Sequence, residues 1–210
     1  MKTAMVWGAS GGIGTALVKR LVDSGWHVLS VARDAGSVTA LTSYAVEADV
    51  ADPEDVRQAV EQAKGMVGEV DLWIYAVGDN LSTKIMDMSF EDWRRILDAN
   101  LNGAFAAVHY SLPLLAADAH VVFLGAVSER LRLPGLSAYA ASKAGLEALG
   151  EVLRKEQRGR RVTVVRPKAV ETGLWDKVPF KAPRGALAPE ELAEGILFAY
   201  AEGHNGTLDF

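Results

Sequence analysis

Short runs rich in Val, Ile, Leu, Phe and Trp recur along this chain, and longer segments of helical pattern separate them. The runs are Ala4 to Trp7, His27 to Ala32, Tyr44 to Val46, Val70 to Val77, His120 to Leu124 and Val162 to Val165. Several are apolar at consecutive rather than alternate positions. Strands read this way when both faces are buried, as in a parallel sheet covered by helices. A short last strand over Thr207 to Phe210 brings the sheet to about seven.

The intervening segments carry helix signals. Ile13 to Asp23 has apolar residues at 13, 16, 17, 21 and 22. Asp52-Pro53 pairs an N-cap aspartate with proline at the first helical position. Ser89-Phe90-Glu91-Asp92 resembles a capping box with Asp in place of Glu, and opens a long segment to about Leu115. Pro113 should end or kink that segment. Ala140 to Gln157 is a further helix, and Pro189 begins the last, to about Ala201. Strand–helix alternation over the whole chain implies right-handed βαβ units. The expected architecture is α/β: one doubly wound domain over residues 1–210, a parallel sheet with helices on both faces. A chain of 210 residues buries roughly 70% of its unfolded surface and needs no staple. The irregular stretch is Thr172 to Ala188, with two prolines and two glycines. It follows a strand, where α/β sheets bind ligands, so a substrate lid over about 172–188 is as reasonable as an ordinary surface loop.

Composition narrows the function. There is no cysteine, which excludes disulfides, thiolate metal sites and a cysteine nucleophile. Asp and Glu outnumber Lys and Arg by 27 to 22, and no long basic run stands out, so nucleic acid has little electrostatic support as a partner. The histidines His27, His109, His120 and His204 are scattered and show no metal spacing. No apolar stretch reaches the roughly 18 residues of a membrane span. Met1 to Trp7 runs straight into glycines, leaving no signal-peptide core, so the expected compartment is the cytoplasm.

Gly8-Ala9-Ser10-Gly11-Gly12-Ile13-Gly14 follows the first strand and opens the first helix. Glycines permit a tight turn and close backbone approach, and the free N–H groups of a helix N-terminus attract an anion. The spacing Gly-x-x-x-Gly-x-Gly differs from the common Gly-x-Gly-x-x-Gly, but the strand–turn–helix context suits a dinucleotide phosphate. The end of the second strand reads Ala32-Arg33-Asp34. An arginine there accommodates a ribose 2′-phosphate and an acid binds the 2′-OH. Arg33 favours NADP(H); Asp34 keeps NAD(H) open.

Tyr139 and Lys143, in Ser137-Ala138-Tyr139-Ala140-Ala141-Ser142-Lys143, stand at i and i+4 and share a helix face. An ammonium beside a phenol favours the phenolate and lowers its pKa. Such a phenol can exchange a proton with a carbonyl oxygen or alcohol.

With these motifs in order, the sequence resembles a short-chain dehydrogenase/reductase over essentially its full length. The residues that carry the resemblance are Gly8 to Gly14, Asp49-Val50, Ala76-Val77-Gly78, Asn100 in Asp98-Ala99-Asn100-Leu101, Tyr139 to Lys143, and Pro167 through Val170 and Thr172. The resemblance implies a Rossmann-type fold and hydride transfer between NADP(H), or NAD(H), and a small carbonyl or alcohol. It implies Tyr139 as acid/base, Lys143 as its modulator and ribose ligand, and Asn100 at a helix kink in the proton relay. Gly8, Ser10, Gly11, Gly12, Ile13 and Gly14 would hold the pyrophosphate. Asp49 and Val50 would meet the adenine, Ala76, Val77 and Gly78 the adenosine ribose, and Pro167, Val170 and Thr172 the nicotinamide carboxamide. Family members also assemble as homodimers or homotetramers through two Ala- and Leu-rich helices, here Asp92 to Leu115 and Ala140 to Leu153.

The departures from the family pattern are as informative. Ala126 stands where a substrate-binding serine is usual, and alanine cannot donate. Ser128, two residues on, would face the same side in an extended chain and is the substitute; Ser137 is a weaker one. Without any such donor, the chain could be a dinucleotide-binding regulatory protein with little turnover. Asp79-Asn80 keep the asparagine-rich turn only in part. Trp7 replaces a threonine, and Lys168 replaces the glycine after Pro167. The chain is also shorter in the lid and at its end, which implies an open pocket for a bulky or loosely held substrate. Trp175 in the lid is a candidate to close over nicotinamide or substrate.

Overall fold

The computed structural model describes residues 1–42 and 44–210. Seven parallel strands form one sheet in the order β3-β2-β1-β4-β5-β6-β7. They are β1 (Thr3–Trp7), β2 (His27–Ala32), β3 (Tyr44–Glu47), β4 (Val70–Tyr75), β5 (Leu115–Leu124), β6 (Arg161–Arg166) and β7 (Gly206–Asp209). The helices are α1 (Gly12–Asp23), α2 (Pro53–Met66), α3 (Phe90–Leu97), α4 (Gly103–Ser111), α5 (Ser137–Glu156) and α6 (Pro189–Ala201).

The consecutive apolar positions have the expected cause: every residue of β1 is buried, because helices cover both faces. On one face α1 and α6 pack over Val6, Val28, Ile74 and Val122. On the other, α2, α4 and α5 cover Trp7, Trp73, Tyr75 and Phe123. Trp73 stacks on Tyr75 at 6.1 Å and meets Phe123 edge-on at 5.5 Å. Each such fully buried side chain contributes about 1.5–3 kcal/mol. His120 is a core group: it is buried, with Nε2 2.7 Å from the Thr163 hydroxyl.

Two elements differ from the sequence reading. The long helix from Ser89 is broken into α3 and α4 by a π-helical turn at Asp98–Asn102. No proline or glycine within Asp98–Asn102 marks the inserted residue, so the sequence hides the break. The start is as read: Ser89 Oγ accepts from the Asp92 N–H at 3.0 Å and donates to its carboxylate at 2.9 Å. Pro113 sits in a 3-10 turn that ends the segment, and β5 begins directly after it at Leu115 rather than at His120. The Arg160 guanidinium donates to the carbonyls of Leu115 and Ala116 at 2.8 and 2.9 Å, tying down residues whose composition does not read as a strand.

The chain winds outward in both directions from β1 and β4, which are adjacent although β2 and β3 intervene in sequence. This reversal opens a crevice at the carboxyl ends of β1 and β4, where the site forms.

Candidate active site

Gly8 leaves β1 with φ +79°, and a Cβ there would lie 2.8 Å from the Val77 nitrogen. A side chain would force the loops after β1 and β4 apart. A Cβ on Gly14 would strike the Gly8 carbonyl, so this position lets α1 start directly against the turn. Helix α1 has Gly11 as N-cap, no side-chain cap and no acidic residue in its first turn. Its leading N–H groups therefore keep their capacity to bind an anion.

Two cavities meet at this loop and share Ser10, Gly11 and Ala76 to Gly78. The first, of about 450 Å³, lies toward β2 and is lined by Gly8, Arg33, Asp49 and Val50. Arg33 is exposed and reaches this lining, whereas Asp34 caps the following 3-10 turn: its carboxylate accepts the Gly36 N–H at 2.9 Å. The second, of about 430 Å³, lies toward β5 and β6 and is lined by Tyr139, Lys143, Pro167, Val170 and Thr172, and also by Gly12 and Ile13. The donor set around the glycine turn is backbone amide and helix dipole, flanked by an arginine, which fits a dinucleotide pyrophosphate.

Helix α5 starts at Ser137, three residues earlier than the apolar pattern suggests, so Tyr139 and Lys143 both lie within it. The Lys143 ammonium is 5.8 Å from the Tyr139 ring centre and donates to the Leu124 carbonyl at 2.7 Å. Burial dominates both groups: it pushes the Tyr139 phenol up to about 12 and pulls the Lys143 ammonium down to about 8. The expected lowering of the phenol by its neighbour is therefore not present here; the ammonium serves a carbonyl instead. A phenol held this high is a proton donor at neutral pH.

Asn100 sits in the π turn, fully buried. Its Nδ2 donates to the carbonyls of Ile96 and Asp79, both at 2.8 Å, and its Oδ1 accepts the Asp79 N–H at 3.3 Å. It locks the turn after β4 onto the broken helix, behind Gly78, rather than lining either cavity. Gly14 is likewise a packing glycine.

Ala126 lines the Tyr139 cavity, and Ser128 does not. An extended chain would put Ser128 on the same side as Ala126. The chain instead leaves β5 at Leu124 and enters a 3-10 turn at Ser128–Leu131, which buries the serine elsewhere.

The lid contains one 3-10 turn, Gly173–Lys177, capped by Thr172. Its ends are pinned by a parallel bridge between Val170 and Leu187. Trp175 lines the cavity, and its indole N–H donates to the Val170 carbonyl at 2.7 Å. The short lid is tied across the cleft by an ion pair. Lys177 reaches across to Asp79 at 2.6 Å, and Arg95 holds the same carboxylate. Burial alone would raise the Asp79 carboxyl, but Lys177, with the Asn80 N–H and Arg95, outweighs it and holds the group below its usual value. Sequence reasoning missed this strap, whose partners are 98 residues apart.

Comparison with known proteins bears on this cleft. The model of the short chain dehydrogenase family matches residues 2–181. An uncharacterized oxidoreductase of Staphylococcus epidermidis is 28% identical, covering 96% of this chain and 91% of that protein. The 3-ketoacyl-(acyl-carrier-protein) reductase of Brucella melitensis, solved with NADH, superposes with a TM-score of 0.87 at 25% identity over 99% of this chain and 96% of its own. The alcohol dehydrogenase of Thermococcus sibiricus, solved with 5-hydroxy-NADP, reaches 0.92 at 22% identity over 100% and 96%, a likeness of fold. The chain belongs to the short chain dehydrogenase family of oxidoreductases. Its sheet is the Rossmann-type α/β sheet of those structures.

Proposed function

We propose that the protein is an NADP(H)-preferring oxidoreductase that interconverts a small carbonyl compound and its alcohol, with Tyr139 as acid/base. Giving or taking the hydride is the chemistry a bound nicotinamide supplies. The chain's own residues do the rest. Gly8, Ser10, Gly11, Gly12 and Ile13 offer backbone to the pyrophosphate, with Gly14 supporting the turn, and Arg33 meets the 2′-phosphate. Asp49 and Val50 border the adenine, and Ala76, Val77 and Gly78 the ribose. Pro167, Val170 and Thr172 flank the nicotinamide. Tyr139 protonates the carbonyl oxygen or takes the alcohol proton, Lys143 sets the charge beside it, and Asn100 fixes the loop that shapes the cleft.

The observation that carries this reading is the placement of Tyr139 and Lys143 on one cavity wall, with the uncapped start of α1 on another. The test mixes the protein with NADPH and a panel of ketones, aldehydes and quinones and follows loss of nicotinamide absorbance. Turnover that disappears in Tyr139→Phe supports the reading. A second reading, a dinucleotide-responsive regulatory protein, draws on Ala126, because a missing oxyanion-type donor costs roughly 10²–10³ in rate. Tight NADPH binding with no turnover on the whole panel favours that alternative.

We also propose a homodimer or homotetramer formed through α4 and α5. Support comes from Phe105 and Val152, which are 54% and 51% exposed. Between those helices lies a surface cavity bordered by Leu101, Phe105 and Leu149.

A further inference from the structure

The charges around the Tyr139 cavity are one-sided. Lys143, Lys168 and Lys177 line it, and no aspartate or glutamate does, among the described residues. Much of the remaining lining is apolar, including Leu124, Leu131, Leu136, Leu174 and Phe180. Two of the three ammonium groups have partners. Lys143 donates to the Leu124 carbonyl at 2.7 Å, and Lys177 to Asp79 at 2.6 Å. Lys168 has no carboxylate within 4.0 Å among the described residues. The nearby Asp209 is committed to Arg166, through hydrogen bonds of 2.7 and 2.9 Å, and feels Lys168 only as a weaker, more distant charge.

The backbone at position 168 is anchored, while the Lys168 side chain is exposed at the rim of the cavity. The residue follows Pro167, and its N–H donates to the Phe210 carbonyl at 3.2 Å, anchoring the start of the lid to the end of the chain. It lines the Tyr139 cavity alone, whereas Lys177 lines both cavities. The glycine turn and Arg33 already meet the charges of a dinucleotide from the other side.

Resting on the redox reading above, we propose that Lys168 selects the substrate: the compound carries a carboxylate beside an apolar body, and the Lys168 ammonium holds that carboxylate. An unpaired ammonium at the edge of a largely apolar cavity focuses its field on an entering anion. Lysine acts here as a point charge, suited to one carboxylate. The cavity then recognises its substrate at two points, the phenol of Tyr139 on the carbonyl oxygen and Lys168 on the charge. This compensates in part for the donor that Ala126 lacks.

The test has two arms. In the first, calorimetry compares 3-phenylpropionate with its neutral amide in the presence of NADP. The carboxylate should bind about tenfold more tightly, as expected for one partly exposed charge-assisted contact. Lys168→Met should remove that preference and Lys168→Glu should reverse it, while Lys168→Arg should retain most of it. Equal affinity of acid and amide in the unmodified protein, or a preference that survives Lys168→Glu, overturns the assignment. In the second arm, 2-oxo-4-phenylbutanoate and its methyl ester are compared as substrates with NADPH. The ratio of their kcat/KM values should favour the acid and fall about tenfold in Lys168→Met. A neutral panel that is reduced without preference for the acid defeats the Lys168 assignment alone. A panel in which nothing is reduced defeats the redox reading, and the binding arm still decides the role of Lys168.

Discussion

The two cavities that meet at the glycine turn are built by different means. The one toward β2 takes its walls from the ends of neighbouring strands: Gly8 after β1, Arg33 after β2, Asp49 after β3 and Ala76 after β4. The one toward β6 needs a helix, a lid and a strap drawn from distant parts of the chain, at Tyr139, Trp175 and Lys177. The first is mostly a consequence of sheet topology, although the strap residues Asp79, Arg95 and Lys177 border it as well; the second depends more on contacts between distant parts of the chain. Binding should therefore be robust on the first side and chemistry sensitive on the second. The sharpest way to break this division is Tyr139→Phe. Loss of a positioned proton donor costs about 10²–10⁴ in rate, and we expect at least about 10³ here because no other tyrosine and no histidine lines the cavity among the described residues. The dissociation constant for NADPH, read by fluorescence titration, should stay within about twofold. A variant that loses binding as well as turnover would mean that the two cavities are one energetic unit.

The next largest effect concerns pH. Alcohol oxidation needs Tyr139 without its proton, and the phenol is pushed up to about 12. Its kcat/KM should rise about tenfold per pH unit between pH 6 and 8, roughly a hundredfold in all, while carbonyl reduction changes by less than about threefold. A flat oxidation profile would show that Lys143, once released from Leu124, brings the phenol toward neutrality. The same groups set a stability trend. A phenol raised above its unfolded value contributes stability at neutral pH that is lost as pH climbs from about 10 to about 12. Lysine lowered to about 8 works the other way, so the cost of burying its charge fades as pH rises from about 8 to the unfolded 10.5.

On the first side, Arg33→Ala should weaken NADPH about ten- to thirtyfold, the range of one or two charge-assisted contacts partly open to solvent. Affinity for NADH should change by less than about twofold. Equal losses for the two cofactors would mean that Arg33 supports the loop rather than reading the 2′-phosphate. Asp34 offers no rescue while it caps the Gly36 N–H.

The same contrast explains what was legible in the sequence. Strand ends, a glycine turn and an i, i+4 pair are local, and each places its residues by short-range geometry. The sheet, the glycine turn, Arg33 and the Tyr139–Lys143 pair followed from them, whereas Asp49, Val50, Ala76 to Gly78, Pro167, Val170 and Thr172 are implied by the family resemblance. The π turn did not, because Asp98 to Asn102 keep a helical pattern while Asn100 redirects its amide to Ile96 and Asp79. Strand alternation predicts Ser128 beside Ala126, but beyond Leu124 the backbone turns and takes Ser128 out of the cavity lining. The early start of β5 depends on Arg160, a residue beyond the reach of any window centred on Leu115.

The smallest expected effect tests the strap itself. Asp79 is the shared partner of Lys177 from the lid and Arg95 from α3, so Asp79→Asn releases both cations at once. Partly exposed pairs of this kind contribute roughly 0.5–1 kcal/mol, which translates into a two- to fivefold change in an equilibrium. The lid should then open more often. Trypsin should cut after Lys181 and Arg184 about threefold faster, and KM for NADPH should rise by a similar factor with kcat less affected. Lys177→Met should reproduce the proteolysis, since it removes the same bond from the other end. Acid should mimic both variants, because a carboxyl held low in the folded protein loses its contribution as pH falls through its folded value. Cleavage rates equal in all three proteins would separate lid closure from this ion pair and leave it to the Val170–Leu187 bridge and the Trp175 hydrogen bond.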